Sequence, residues 1–274
     1  MNACEDSWKH IYYFLKCLCQ EIKMCKTITV KNHTISSQKS IICVPVIKTT
    51  ADEILSEIKQ DIDAGAEFIE FRADFFKDLT EKDKLLDLLK KIEILCKDTI
   101  ILFTIRSKNE GGQIQIEENE LISLLEFVSA TGCVDFIDVE IDGYKNSAAL
   151  ISHIQKNGTY VIASNHNFSS TYNEDQIISI FEKMYNAKAD IQKIAMMPQN
   201  KMDVLNTLRA LSAFYDKYQD ALAVAISMGE YGKASRVCGG LFGSCMTFAA
   251  MKDASAPGQV AFDDMKALLR VLEK

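Results

Sequence analysis

The chain has 274 residues, of which 48% are hydrophobic and 25% charged, as in ordinary globular proteins of one large or two small domains. Its 3 prolines and 12 glycines exclude collagen-like and Pro/Gly-rich disordered classes. The net charge of −7 excludes the basic footprint of a protein that binds duplex nucleic acid, so an acidic ligand would need particular arginines.

The first 24 residues are predicted to be an extension before a single domain at 25–274. Charged residues such as Lys9 and Lys16 interrupt their apolar residues, so no run approaches the roughly 18–20 residues of a membrane span. A dispensable extension before a start at Met24 is the favoured interpretation, and an amphipathic helix that binds an interface or a partner is the alternative. The 9 cysteines lack the paired spacing of zinc sites, which favours free thiols in a reducing cytoplasm.

A strand followed by a helix recurs along the rest of the chain. The first predicted element is a short hairpin at 26–35 that turns at Lys31 and Asn32. Apolar runs predict strands at 41–47, 68–71, 99–106, 136–141, 160–164, 191–196 and 221–228, with a shorter run at 245–249 as the candidate for an eighth. Helical spacing predicts helices at 51–64, 81–96, 117–131, 146–157, 175–187, 201–218 and 263–273. Eight such units close a (β/α)8 barrel, which the hairpin would cap at the bottom, whereas six suit an open doubly wound sheet.

Polar side chains recur near the carboxyl ends of five consecutive predicted strands. Residues i and i+2 of a strand share a face, which groups Glu70 with Arg72, Thr104 with Arg106, Asp138 with Glu140 and Asp142, Ser164 with His166, and Lys193 with Ile191 and Ala195. A single charge at a strand end is usually a solvated loop residue. Because barrel strands converge on one pocket at their carboxyl ends, the recurrence predicts a polar site there.

Two residues of this set point to a particular chemistry. Lys193 lies in an apolar strand, where burial favours the neutral amine that attacks a ketone to form a Schiff base. His166 ends a strand in a polar run and is a candidate general base. The alternatives without a catalytic role are that Lys193 extends to solvent at a strand edge and that His166 is hydrogen-bonded in a loop.

Two further features of the sequence bear on ligand binding. The segment 227–236, S-M-G-E-Y-G-K-A-S-R, is interpreted as a glycine-bearing loop, and its spacing is weak evidence for phosphate binding. The acidic strip of Asp138, Glu140 and Asp142 suits a divalent cation, but pairing with Arg72 and Arg106 is the preferred interpretation.

An ordered set of six motifs resembles the type I 3-dehydroquinate dehydratase family. The motifs are E-F-R-A-D at 70–74, T-I-R-S-K-N-E-G-G at 104–112, S-N-H-N-F at 164–168, K-I-A-M-M-P at 193–198, S-M-G-E-Y-G-K-A-S-R at 227–236 and S-A-P-G-Q at 255–259. The resemblance covers the chain from about Cys25 to its end. It implies a (β/α)8 barrel, usually a homodimer, that acts on 3-dehydroquinate in the shikimate pathway without a metal or an organic cofactor.

The resemblance also implies a role for each matching residue. Lys193 matches the Schiff-base lysine, His166 the general acid/base, and Glu110 the carboxylate that orients the histidine. The residues that match substrate-binding positions are Glu70, Arg72 and Arg106 for hydroxyls, Arg236 for the carboxylate, Met228 for an apolar wall, and Ser255 and Gln259 for the closing loop.

Two other functions fit parts of the same pattern. A class I Schiff-base aldolase would share Lys193 but normally grips a phosphate, for which Arg236 and the 255–259 loop are less suited. A catalytically silent barrel that binds the metabolite would keep the fold without needing Lys193, His166 and Glu110 together. A test of 3-dehydroquinate against a phosphorylated aldol substrate separates these alternatives.

Overall fold

The computed structural model describes residues 26–272, which form eight α-helices and eleven strands. The predicted extension at 1–24, with its alternatives, lies outside the described residues, and the domain boundary stays a prediction. Among the described helices, none combines the length and apolar character needed to cross a membrane.

Eight parallel strands form the predicted barrel. They are β3 (Ile41–Val46), β4 (Phe68–Arg72), β5 (Ile100–Thr104), β6 (Phe136–Glu140), β7 (Tyr160–Asn167), β8 (Ile191–Met196), β9 (Ala223–Ser227) and β10 (Met246–Ala250). Each pairs with the next from β3 to β9, and β10 pairs with β3. The amide of Cys245 donates to the carbonyl of Ala223 at 2.9 Å and bridges β10 to β9, while the short β11 (Val260–Ala261) extends β10. The eighth strand is therefore confirmed.

The helices surround the barrel, largely at the predicted positions. They are α1 (Ala51–Asp63), α2 (Lys82–Leu95), α3 (Glu118–Thr131), α4 (Ser147–Lys156), α5 (Glu174–Asn186), α6 (Lys201–Lys217), α7 (Gly229–Cys238) and α8 (Phe262–Leu272). The start of α1 follows from its sequence, because Thr50 and Glu53 form a reciprocal capping box.

Helix α7 corrects the interpretation of 227–236 as a loop. Gly232 lies inside this helix, at the point where the helix packs closely against β9. A Cβ atom at Gly232 would lie 2.0 Å from the carbonyl oxygen of Ser227, a distance no side chain tolerates. The helix buries Ser235 and Arg236, and the Ser235 hydroxyl accepts from the amide of Ser227 at 2.8 Å. This packing places Arg236 beside the barrel rim.

An antiparallel hairpin closes the opposite end of the barrel, as predicted. It consists of β1 (Thr27–Val30) and β2 (His33–Ser36), and its buried Ile28 and Ile35 join the apolar cluster inside the barrel. At the turn, Lys31 Nζ donates to the carbonyls of Cys96 and Thr99 at 2.8 and 2.6 Å. The hairpin thus excludes water from the barrel floor, and the functional groups lie at the other end.

Candidate active site

All ten residues singled out for a site line one pocket at the carboxyl ends of the barrel strands. They are Glu70, Arg72, Arg106, Glu110, His166, Lys193, Met228, Arg236, Ser255 and Gln259. They are contributed by β4, β7, β8 and α7 and by the connections that follow β5, β9 and β10. Parallel strands whose carboxyl ends meet at one rim explain how residues so distant in sequence converge.

The amine of Lys193 is buried at the base of this pocket. Lys193 is 4% exposed, and its Nζ lies 3.8 Å from Oδ2 of Asp138 and 4.4 Å from the centre of the Phe248 ring. Burial disfavours the charged amine, whereas the carboxylate and the aromatic face favour it. The sequence predicted the burial but not the two groups that oppose its effect.

His166 and Glu110 form a buried pair. His166 Nδ1 lies 2.8 Å from Oε2 of Glu110, and the same oxygen accepts the backbone amide of His166 at 3.0 Å. This oxygen accepts both hydrogen bonds through its lone pairs and carries no hydrogen itself. The hydrogen of the bond to the ring is therefore on Nδ1. The other ring nitrogen, Nε2, then has a free lone pair at the pocket.

The surroundings of this pair shift both of its pKa values. Burial lowers the pKa of His166 well below its ordinary value of 6.5, and the positive charges of Arg106, Lys193 and Arg72 lower it further. Burial raises the pKa of Glu110 to about 8, against the opposing effect of Arg106 at 3.5 Å. His166 is therefore a neutral base at neutral pH.

Arg106 is neutralised by two buried carboxylates. Its Nη2 lies 2.9 Å from Oδ2 of Asp138, and its Nη1 donates to Oε1 of Glu140 at 3.0 Å and to the hydroxyl of Ser164 at 2.9 Å. Burial alone would lower the pKa of Arg106, but the carboxylates more than compensate and raise it. The preferred interpretation of the acidic strip holds for these two acids.

The other two expectations about the acidic strip are wrong. Arg72 pairs with Asp74 through two bonds of 2.8 Å, because Asp74 follows in a tight turn within reach of the guanidinium. Asp142 lies beyond the end of β6, where it accepts from Asn165 at 2.9 Å and pairs with Lys183. Asp142 therefore does not belong to the pocket.

Arg236 differs from the other two arginines of the pocket. It is 2% exposed, and its Nη2 donates to the carbonyl of Pro257 at 3.0 Å. Its buried Nε has no hydrogen-bond partner in the part of the chain that the structure describes. Burial lowers the pKa of Arg236 to about 10, so it is still a cation at neutral pH. A buried cation without a carboxylate leaves room for an anionic ligand.

The loop after β10 covers this side of the pocket. The side-chain oxygen of Gln259 accepts the amide of Ser255 at 2.8 Å, and its nitrogen donates to the Ser255 hydroxyl at 3.1 Å. The amide of Gly229 donates to the Pro257 carbonyl at 3.0 Å. Arg236 and Gly229 therefore hold the loop over the pocket through the same carbonyl oxygen.

The sequence reasoning missed several residues of the pocket. Phe168, Ile226 and Phe248 also line it, and Asp74 holds Arg72. For Phe248 the sequence offered a signal, namely its position in the last apolar run. Because side chains alternate along a strand, Phe248 and Ala249 point to opposite faces. Asp74 gave no such signal, since its position depends on the turn after β4.

Comparisons with known proteins agree on one family. The family model for type I 3-dehydroquinase matches residues 42–274. A 3-dehydroquinate dehydratase of Klebsiella pneumoniae is 38% identical over 250 residues, which cover 91% of this chain and 100% of the relative. The crystal structure of the type I enzyme from Clostridium difficile, with covalently modified comenic acid, superposes with a TM-score of 0.87 at 37% identity and covers 91% of this chain and 99% of that one. The chain belongs to the type I 3-dehydroquinase family.

Proposed function

We propose that this chain removes water from 3-dehydroquinate to give 3-dehydroshikimate through a Schiff base on Lys193, as a hydro-lyase of the shikimate pathway. The observation that carries the proposal is a buried amine in one pocket with a neutral imidazole and an arginine that lacks a carboxylate. Relatives that share 34–38% of the sequence bear the name of this enzyme.

The chemistry follows from the position of the ketone. Elimination of the C1 hydroxyl needs a carbanion at C2, beside the C3 ketone. Condensation of Lys193 with C3 gives an iminium ion that takes up the charge as an enamine, so the scheme needs no metal or organic cofactor. His166 takes the C2 proton through Nε2 and then gives a proton to the departing hydroxyl. A positioned acid/base of this kind contributes about 10²–10⁴-fold.

The charged residues of the pocket divide the remaining work. Arg236 grips the ring carboxylate, because its Nε is unoccupied and a guanidinium matches a carboxylate with two bonds. Glu70, Arg72 and Arg106 hold hydroxyls, Met228 forms an apolar wall, and Ser255 and Gln259 close over the ring. Glu110 orients His166 through Nδ1.

A cytoplasmic homodimer is the proposed state of the enzyme. The described cysteines Cys43, Cys96, Cys133, Cys238 and Cys245 are free thiols, which suits a reducing compartment. Large apolar side chains of three neighbouring elements are exposed, namely Leu205 of α6, Tyr231 of α7 and Leu241 of the following turn. Light scattering on the purified chain measures the assembly directly.

Borohydride trapping tests the proposed reaction. The protein is mixed with 3-dehydroquinate and borohydride, and intact and peptide masses are measured. We expect a ligand-sized adduct on the Lys193 peptide, and none in the matched Lys193→Ala variant, which should fold but not turn over. Product without an adduct would contradict the covalent scheme. Neither adduct nor product would favour the aldolase or the silent binding protein.

A further inference from the structure

Asp138 is a buried carboxylate beside Lys193 that has no part in the scheme above. It lies on β6, two strands from β8, and is 3% exposed. Its Oδ2 is 3.8 Å from Nζ of Lys193. Opposite charges at this distance interact strongly where water is excluded, since the energy scales inversely with the dielectric constant.

Two neighbours fix the position and the charge of Asp138. The Ser164 hydroxyl donates to Oδ1 at 2.7 Å, and Nη2 of Arg106 lies 2.9 Å from Oδ2. Ser164 is paired in register with Lys193 across β7 and β8. The serine that binds Asp138 therefore lies directly beside the lysine. Burial alone would raise the pKa of Asp138, but Arg106 and Lys193 hold it below its ordinary value. Asp138 is therefore an anion at neutral pH.

We propose that Asp138 is the counter-ion of the Lys193 nitrogen in both its ammonium and its iminium forms. The proposal deepens the proposed function and rests on it. An ammonium and a ketone give an iminium and one water, so the nitrogen carries one positive charge before and after condensation. The charge disappears when the C2 proton passes to His166 and the nitrogen becomes that of a neutral enamine. A fixed anion matches both charged states without rearrangement.

The same contact has a cost for the first step. Nucleophilic attack needs the neutral amine, whereas the attraction of an anion at 3.8 Å stabilises the ammonium form. The other titratable or charged groups around Lys193 and Asp138 are Cys43, Glu70, Arg72, Arg106, Glu110, Glu140, Tyr144, His166 and Arg236. Asp138 acts through Lys193 and is therefore a positioning residue. Its effect is measured on the protonation of the Lys193 amine.

Glu140 provides a matched control. It is buried on the same strand and binds the same guanidinium, with Oε1 at 3.0 Å from Nη1 of Arg106. Among the described ion pairs, it makes none with Lys193. Glu140→Gln therefore removes a buried acid from the Arg106 network but leaves the contact between Asp138 and Lys193 in place.

Carbamylation by cyanate without substrate reads the amine directly. Its rate on the Lys193 peptide is measured by mass over a range of pH, relative to the unsubstituted chain. We expect Asp138→Asn to lower the midpoint of this profile by about 1–3 pH units, the usual effect of an opposite charge nearby. Glu140→Gln should move it much less, and Asp138→Glu should restore it. An unchanged midpoint in Asp138→Asn, or an equal shift in Glu140→Gln, would overturn the proposal.

A second comparison protects the test against misfolding. If circular dichroism shows that Asp138→Asn is unfolded, Asp138→Asn/Arg106→Gln leaves no unpaired guanidinium and is compared with Arg106→Gln alone. The double variant should again have the lower midpoint, and equal midpoints would refute the counter-ion. Because cyanate needs no substrate, this outcome is separate from the borohydride result, which alone decides whether the Schiff base forms.

Discussion

Two sides of the pocket treat positive charge in opposite ways. On the paired wall, which is formed by Arg72 and Arg106 with their acids Asp74, Asp138 and Glu140, each guanidinium has carboxylates of its own. On the open wall, which is formed by Arg236 and the loop 255–259, the guanidinium meets a backbone carbonyl and no acid among the described residues. The cations of the paired wall are balanced by acids of the protein, whereas the cation of the open wall is left for an anionic ligand.

The largest effect that we expect separates the two walls by stability. Arg106→Gln leaves Glu140 as an uncompensated buried charge and Asp138 with only the longer contact to Lys193, and should lower the free energy of unfolding by about 3–5 kcal/mol. Arg236→Gln removes a buried cation without an acid partner and should cause no comparable loss. Urea denaturation of both variants measures this contrast. Equal losses would mean that the two walls do not differ in this way.

The barrel and the paired wall could be predicted from the sequence to different extents. Alternating strands and helices predicted a parallel sheet covered by helices, because each buried strand reads as an apolar run, but closure into a barrel depended on the short run at 245–249 as the candidate eighth strand. β7 is longer than predicted, since His166 and Asn167 continue the ladder with Ala195 and Met196, and two polar residues do not look like strand. The local hydrophobic pattern therefore predicts the apolar part of a strand better than the polar end that carries functional residues.

The partners of the charged groups could not be predicted in the same way. Asp74 binds Arg72 because a 3-10 turn redirects the chain after β4, and no periodicity reveals such a turn. The pairing of Arg106 with Asp138 and Glu140 was foreseen, because neighbouring strands bring their inward faces together. Helix α7 was missed because Gly229 and Gly232 are typical of loops, and the close packing against β9 that requires Gly232 is visible only in the structure.

An unpaired buried acid outside the pocket sharpens the meaning of the open wall. Asp61 of α1 is fully buried, and neither of its carboxylate oxygens has a hydrogen-bond partner among the described residues. Burial, with a contribution from Glu57, raises its pKa from 3.8 to about 7. An unpaired buried ionisable group therefore does not by itself mark a ligand site, and Arg236 is distinguished by its charge at neutral pH and its place in the pocket.

Asp61→Asn should remove a pH dependence of stability. The folded state holds the Asp61 proton between its ordinary pKa and the raised one, so its stabilising contribution is complete below about pH 4 and is lost as the pH rises to about 7. The advantage of the variant should grow over this range by at most about 1.4 kcal/mol per pH unit and then level off. Denaturation at several pH values measures it, and parallel curves for the two proteins would contradict the shift.

Arg236→Lys tests how the open wall binds its ligand. Lysine keeps the charge but not the two-point fork, and the loss of a charge-assisted bond of about 1.5–3 kcal/mol corresponds to a KM raised roughly 10–150-fold. Arg72→Lys provides a comparison on the paired wall, where Asp74 already binds the guanidinium and the proposed contact is to a hydroxyl rather than to a carboxylate. Steady-state kinetics with 3-dehydroquinate give both values. An unchanged KM in Arg236→Lys would move the carboxylate site elsewhere.

The smallest expected effect is on the pKa of His166. It shows whether the acids of the paired wall cancel its positive charges as His166 experiences them. If its acids cancelled its arginines completely, His166 would titrate as burial alone dictates. Instead Arg106, Lys193 and Arg72 add to burial in lowering the pKa of His166. The base is active when deprotonated, so at saturating substrate, where Lys193 is already condensed, kcat should stay high as the pH falls through 6.5 and decline at lower pH. A limb at or above 6.5 in the pH profile would contradict the shift. Arg72→Gln, which removes one of these positive charges, should move the limb upward, and a fixed limb would show that Arg72 does not contribute to the shift.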